Sequence, residues 1–335
     1  MKHSIALVTG TTSGLGHAAA RMLAAEGWHQ VIVTGRSLAT VQQTAAQLVA
    51  ETKTQVFMPL ELDLDTPASV QAALAELVKR GQPIDFLLLN AGMVPGKARV
   101  ITASGVEASQ APLIGHHQLT VGLLRANLLS PNARIVIAGA EPARGGVPMF
   151  SYTDMPAFAA KYHQGDQTAA VEALIRNGPD VKYVPNNAYA DAKLIVAWWV
   201  AALARRLPSG MAVYAVSPGA ATATKVSRQA SLAVKYLFIP IANLIPGMNQ
   251  TPEIAASRYL QASKFGTDVS GQFFASAQGK FSGPIVSQRH PHIHDHASQE
   301  AAWLAVAKVS GVDLPNSTPL GAVSEKASVA AKWSQ

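Results

Sequence analysis

The stretch "SIALVTGTTSGLG", residues 4–16, decides how the rest of the chain is read. A short apolar run ends in Thr9-Gly10, and further glycines at 14 and 16 lead into a helical stretch from Gly14 to Glu26. A strand, a turn of small residues and a helix together open a βαβ unit. Small side chains let the backbone approach an anion, whose charge the amides and dipole of the helix N-terminus favour. The spacing departs from G-x-G-x-x-G, so the triplet takes its meaning from lying between strand and helix.

Working outward, the pattern repeats. Strand-like runs occur at 30–35, 55–63, 84–92 and 133–140, with helical stretches at 37–50 and 67–80 and a long helical region before the fifth strand. The runs are nearly continuous in Val, Ile and Leu, as expected of strands covered on both faces. Strand–helix alternation of this kind predicts an α/β fold, a doubly wound parallel sheet of Rossmann type. After Ala140 the rhythm breaks. A helix over 187–207, a strand over 211–219, a helix over 252–264 and a short strand over 271–277 follow. With no internal repeat and no clear linker, the simplest account is one domain over 1–296. It carries an insertion at 141–187 and a lid at 220–250, with a helical C-terminal tail over 297–335.

Composition narrows the classes of function. Of 335 residues, 49% are hydrophobic and 14% charged, enough for a sizeable core. The net charge of +7 has no run of four basic residues behind it, so no nucleic-acid footprint is expected. The absence of cysteine excludes disulfides, thiolate catalysis and Cys-ligated zinc. No stretch reaches ~18 uninterrupted apolar residues, so no stable membrane insertion is expected. The first residues run straight into a strand, leaving no room for a signal peptide. A cytoplasmic enzyme acting on a small molecule is the default, with a homo-oligomer left open.

The phosphate loop of Gly10, Thr12, Ser13, Gly14, Leu15 and Gly16 is expected to admit a pyrophosphate. The end of the second strand reports on the ribose: "VTGRS" gives Arg36 and Ser37 where an acid would hold a 2′-hydroxyl. An arginine forks onto a phosphate and a serine donates beside it, so NADP(H) is the expected cofactor.

Further motifs follow in order: "DLD" at 63–65, "NAG" at 90–92, Tyr189-x3-Lys193 and "SPG" at 217–219. On these and the glycine loop, the chain resembles the short-chain dehydrogenase/reductases over about residues 4–290. "GHHQLT" (115–120) and the long stretch before Tyr189 look most like the retinol-dehydrogenase and protochlorophyllide-reductase branches. The resemblance implies that Asp63 and Leu64 border the adenine. Asn90, Ala91 and Gly92 would line the middle of the cofactor, and Pro218 and Gly219 would flank the nicotinamide.

A spacing of i, i+4 stacks Tyr189 and Lys193 on one helix face. The lysine charge is expected to make the phenol more acidic and to hold the nicotinamide ribose, with Tyr189 as proton donor or acceptor. Two departures stand out. The family's serine after the fifth strand is replaced by Gly139 and Ala140, and its helix-4 asparagine by Ala111, Pro112 or Leu113, with Gln110 a candidate substitute. Losing one oxyanion donor removes roughly 100- to 1,000-fold in rate. Three readings follow: a carbonyl reductase whose second donor comes from Ser151, Tyr152, Thr153, Tyr183, Asn186 or Asn187; a C=C reductase; or a nucleotide-binding sensor that has lost turnover.

"RHPHIHDH" (289–296) suggests packing rather than a metal site, so no metal is expected. His116 and His117 suggest satisfied interior histidines, and Trp198 and Trp199 suggest packing residues. The apolar stretch 236–248 hints at a lipophilic substrate as readily as at a core or dimer contact.

Overall fold

The computed structural model describes residues 4–220 and 250–314. The expected lid, with its apolar stretch 236–248, lies outside them apart from its first and last residues, as does the tail beyond 314.

Eight strands form one sheet: β1 (Ile5–Val8), β2 (Gln30–Gly35), β3 (Phe57–Glu61), β4 (Ile84–Leu89), β5 (Leu129–Ala138), β6 (Ala212–Val216), β7 (Phe273–Ser276) and β8 (Ile285–Ser287). Their order is β3-β2-β1-β4-β5-β6-β7-β8, parallel throughout except that β8 runs antiparallel to β7. The chain winds outward from β1 in one direction and from β4 in the other, which is the doubly wound arrangement. It opens a crevice at the carboxyl ends of β1 and β4, where the strand order reverses.

Two cores flank the sheet. On one face lie α1 (Gly14–Ala25), α2 (Leu38–Thr52) and α8 (Pro252–Ala262), packed on Val8, Val33, Leu88, Val136 and Tyr214. The other face carries α3 (Pro67–Arg80), α4 (Ala111–Arg125), α7 (Pro185–Ala204) and α9 (His296–Ser310). Central strands such as β6 are buried at every position, matching their unbroken apolar sequence.

Some elements differ from the sequence reading. The region between β4 and β5 holds one helix, α4, preceded by irregular chain with an isolated bridge between Ile101 and Glu107. Residues 141–187 contain two helices, α5 (Met155–Tyr162) and α6 (Gln167–Arg176), started by the side chains of Asp154 and Asp166. Each Asp accepts a hydrogen bond from the amide three residues on, the usual N-terminal cap. Helix α9 packs against α6, α7 and α4, and its Trp303 is fully buried beside Trp199 and His117.

Both interior histidines are satisfied. His117 Nδ1 accepts from the Trp199 indole at 3.0 Å, and its Nε2 bonds the Val312 carbonyl. Burial pushes His117 down to about 4 and His116 to about 3, so both are neutral at ordinary pH. The histidine-rich segment is structural in its contacts. His292 bonds the Ala143 carbonyl and the Tyr152 hydroxyl, its own carbonyl accepts from Trp198, and His294 bonds the Gln288 carbonyl.

Candidate active site

A cleft of about 510 Å³ follows the carboxyl ends of β1 to β6. It begins at the β1–α1 turn, where Gly10 and Gly14 hold positive φ of 69° and 62°. Gly16 does not line the cleft but makes its wall possible: a Cβ there would overlap the Gly10 carbonyl and come 2.6 Å from the Asn90 amide. That amide donates to the Thr9 carbonyl at 3.0 Å, while the Ala91 N–H donates to the Thr9 hydroxyl at 2.9 Å. His116 Nε2 meets the same hydroxyl at 2.9 Å. The loop is therefore locked to β4 and α4, with Thr12, Ser13, Gly14 and Leu15 left to face the cleft.

At one end lie Arg36, Asp63, Leu64 and Asp65. The side chain of Asp63 accepts from the Asp65 amide and the Thr66 hydroxyl, fixing the turn into α3. Asp65, the last residue of "DLD", has its carboxyl raised by burial and by the Asp63 charge, which outweigh the Thr102 hydrogen bond and the Arg36 charge. Ser37 is not in the wall. Its hydroxyl accepts from the Thr40 amide and donates to the Thr40 hydroxyl, capping α2.

Ala91 and Gly92 carry the wall toward Tyr189, Lys193, Pro218 and Gly219 at the other end. Lys193 Nζ lies 5.8 Å from the centroid of the Tyr189 ring and donates to the Ala138 carbonyl at 2.9 Å. Desolvation lowers the lysine to about 8. The expected acidification of the phenol is not what this geometry produces. Burial raises the Tyr189 pKa, and the charge of Glu141 raises it further. The ammonium sits over the ring and is held by a carbonyl, so it does not face the phenol oxygen closely enough to reverse that. Tyr189 is a neutral acid at ordinary pH.

Glu141 was overlooked in the sequence reading. It is buried directly after β5, accepting from the hydroxyls of Ser217 and Ser276, with the Arg258 guanidinium 3.6 Å away. The pair ties the β5 and β6 exits to β7 and α8.

None of the donors expected from 141–187 lines the cleft, and most are engaged elsewhere. Tyr183 donates to the Gly96 carbonyl, Asn186 to the Met149 carbonyl, Thr153 to Asp191, and the Ser151 amide to the Asn187 side chain. Tyr152 is tied to His292. Pro112 lines the cleft, whereas Gln110 does not, and its side-chain oxygen is buried without a partner among the described residues.

The short chain dehydrogenase family profile matches residues 4–152. Human retinol dehydrogenase 13 is 24% identical over 316 residues, covering 92% of this chain and 85% of its own. A rat peroxisomal 2,4-dienoyl-CoA reductase is 27% identical over 281 residues, 81% of each chain. Over these stretches the chain is similar to the short-chain dehydrogenases and reductases. Solved structures share its fold. An uncharacterised protein of Mycobacterium paratuberculosis aligns with TM-score 0.66 at 20% identity over 94% of this chain and 95% of its own. An actinorhodin polyketide ketoreductase, solved with NADPH, aligns with TM-score 0.56 at 24% identity over 81% and 94%. The relatives it resembles over most of its length are oxidoreductases. The glycine-walled cradle and the continuous cleft wall from Arg36 to Tyr189 fit a dinucleotide. Among the described residues no helix is long and apolar enough to cross a membrane, and no group of three His, Cys, Asp or Glu is arranged to hold a metal.

Proposed function

We propose that this protein is an NADP(H)-dependent oxidoreductase acting on a carbonyl or alcohol of a fairly apolar small molecule. The observation that carries the reading is that the Tyr189–Lys193 pair and the glycine turn line one continuous cleft. When bound, the nicotinamide dinucleotide supplies or takes the hydride. Gly10, Thr12, Ser13, Gly14 and Leu15 cradle the pyrophosphate, with Gly16 keeping the cradle open. Arg36 answers the 2′-phosphate, where an acid would repel it; Ser37 assists by holding the start of α2. Asp63 and Leu64 border the adenine, Asn90 and its neighbours the middle, and Pro218 and Gly219 the nicotinamide.

Tyr189 donates its proton to the substrate oxygen in reduction and takes it back in oxidation. A phenol raised by burial favours the donor role at neutral pH. Lys193, protonated below about 8, steadies the phenolate left behind and holds the ribose. The preference for an apolar substrate rests on Phe150, whose ring lies 6.1 Å from that of Tyr189, and on the exposed Met93 and Val94 in the cleft wall.

A second reading, C=C reduction, is favoured by the similarity to the dienoyl-CoA reductase. Oxidation of NADPH and NADH, followed by absorbance across ketones, aldehydes and enones, separates the two. We expect NADPH-dependent turnover of a ketone or aldehyde. Turnover of enones alone moves the assignment to C=C reduction, and tight NADPH binding without any turnover overturns both.

A further inference from the structure

Tyr259, on α8, lines the cleft together with Ala138, Gly139, Tyr189 and Lys193. It is fully buried, and among the described residues its hydroxyl has no hydrogen-bond partner. A buried, unpaired hydroxyl carries a desolvation cost that phenylalanine would avoid, so its retention at a cleft wall calls for a ligand atom to satisfy it. The groups it faces narrow the choice. Tyr189, Glu141 and Arg258 lie close enough to bear on its ionisation. Glu141 is already occupied by Ser217, Ser276 and Arg258. What remains is the space beside Tyr189.

Strand β5 cannot fill that space with a hydroxyl of its own. A Cβ on Gly139 would come 2.8 Å from Phe273 Cε2, and Ala140 is not in the cleft wall. None of the candidate donors of 141–187 lines the cleft.

We propose that the Tyr259 hydroxyl is the second hydrogen-bond donor to the substrate oxygen, acting beside Tyr189 where β5 supplies none. The inference rests on the carbonyl-reduction reading. In that step hydride adds to the carbonyl carbon, the C=O π pair moves to oxygen, and the Tyr189 proton passes to it. Solvent returns a proton to the Tyr189 phenolate. Tyr259 keeps its own proton and stabilises the developing charge by hydrogen bonding alone. An aliphatic or aromatic C=O fits this pair of phenols, one as acid and one as anchor.

The test compares wild type, Tyr259→Phe and Tyr189→Phe, using NADPH with benzil or whichever ketone or aldehyde of the panel turns over fastest. Phenylalanine retains the ring, so Tyr259→Phe is expected to fold and to bind NADPH, read by fluorescence titration, as wild type does. Its kcat is expected to fall roughly 100- to 1,000-fold. If its kcat stays within about twofold of wild type while Tyr189→Phe is inactive, Tyr259 is not the donor and the reading of the enzyme stands. If NADPH affinity falls in proportion to the rate, Tyr259 serves the cofactor pocket and the inference is overturned. Wild type inert on every carbonyl overturns the carbonyl reading, and the role of Tyr259 falls with it.

Discussion

At the Gly10–Gly16 end of the cleft, most of the wall lies within a few positions of a strand end: the β1 turn, Arg36 after β2, Asp63 after β3, Asn90 after β4. At the Tyr189 end the parts arrive from farther apart. Tyr189 and Lys193 come from α7, Tyr259 from α8, and the Glu141–Arg258 pair spans β5 and α8. The first end is a backbone device, in which amides and glycines matter more than side-chain chemistry. The second depends on which hydroxyls and charges packing has brought together, so its properties respond to distant residues.

The sharpest way to break this contrast is at the second end. Tyr189→Phe removes the acid and leaves the ring contact with Phe150, so turnover is expected to drop about 10²- to 10⁴-fold with NADPH affinity unchanged. Steady-state rates beside a binding titration check it, and an active variant would remove the chemical distinction between the two ends. At the first end, Arg36→Ala is expected to weaken NADPH about 10- to 100-fold and to leave NADH nearly unaffected, since only the charge-assisted phosphate contact is lost. Equal losses for both cofactors would mean that Arg36 does not read the 2′-phosphate.

The smallest effect sharpens the role of Lys193. Its folded value of about 8 means that the ammonium is lost as pH rises past 8, and the reductive rate is expected to fall about tenfold per unit above that point. The stability change has the opposite sign. Between about 8 and the ordinary lysine value of about 10.4, the unfolded chain holds a proton that the folded one has released. Stability from this group therefore increases with pH across that window while activity declines. Rate profiles and chemical denaturation measured over the same pH series check both signs.

Much of the first end was legible because its signals are local. A glycine turn between strand and helix, "NAG" after β4 and an arginine after β2 each act within one turn of chain. The spacing of Tyr189 and Lys193 was legible for the same reason, since four residues are about one helical turn. The pKa of Tyr189 was not, because its direction is set by burial and by Glu141, 48 positions away. β8 was too short to give a pattern, and α6 lay in a stretch whose Pro and Gly residues obscured the helix started by Asp166. Tyr259 resembles any other residue of an alanine-rich helix until α8 packs against the sheet.

What the sequence determined alone is the winding of the sheet, the glycine turn and the presence of a phenol and an ammonium on one helix face. Each follows from steric and periodic rules that operate between near neighbours. Only the tertiary structure decided that Phe273 closes the space beside Gly139, that Arg258 answers Glu141, and that the unpaired hydroxyl of Tyr259 lies at the cleft wall near Tyr189. Those outcomes depend on close packing and desolvation among segments remote in the chain, where the energies of burial and charge are set by neighbours that no local pattern names.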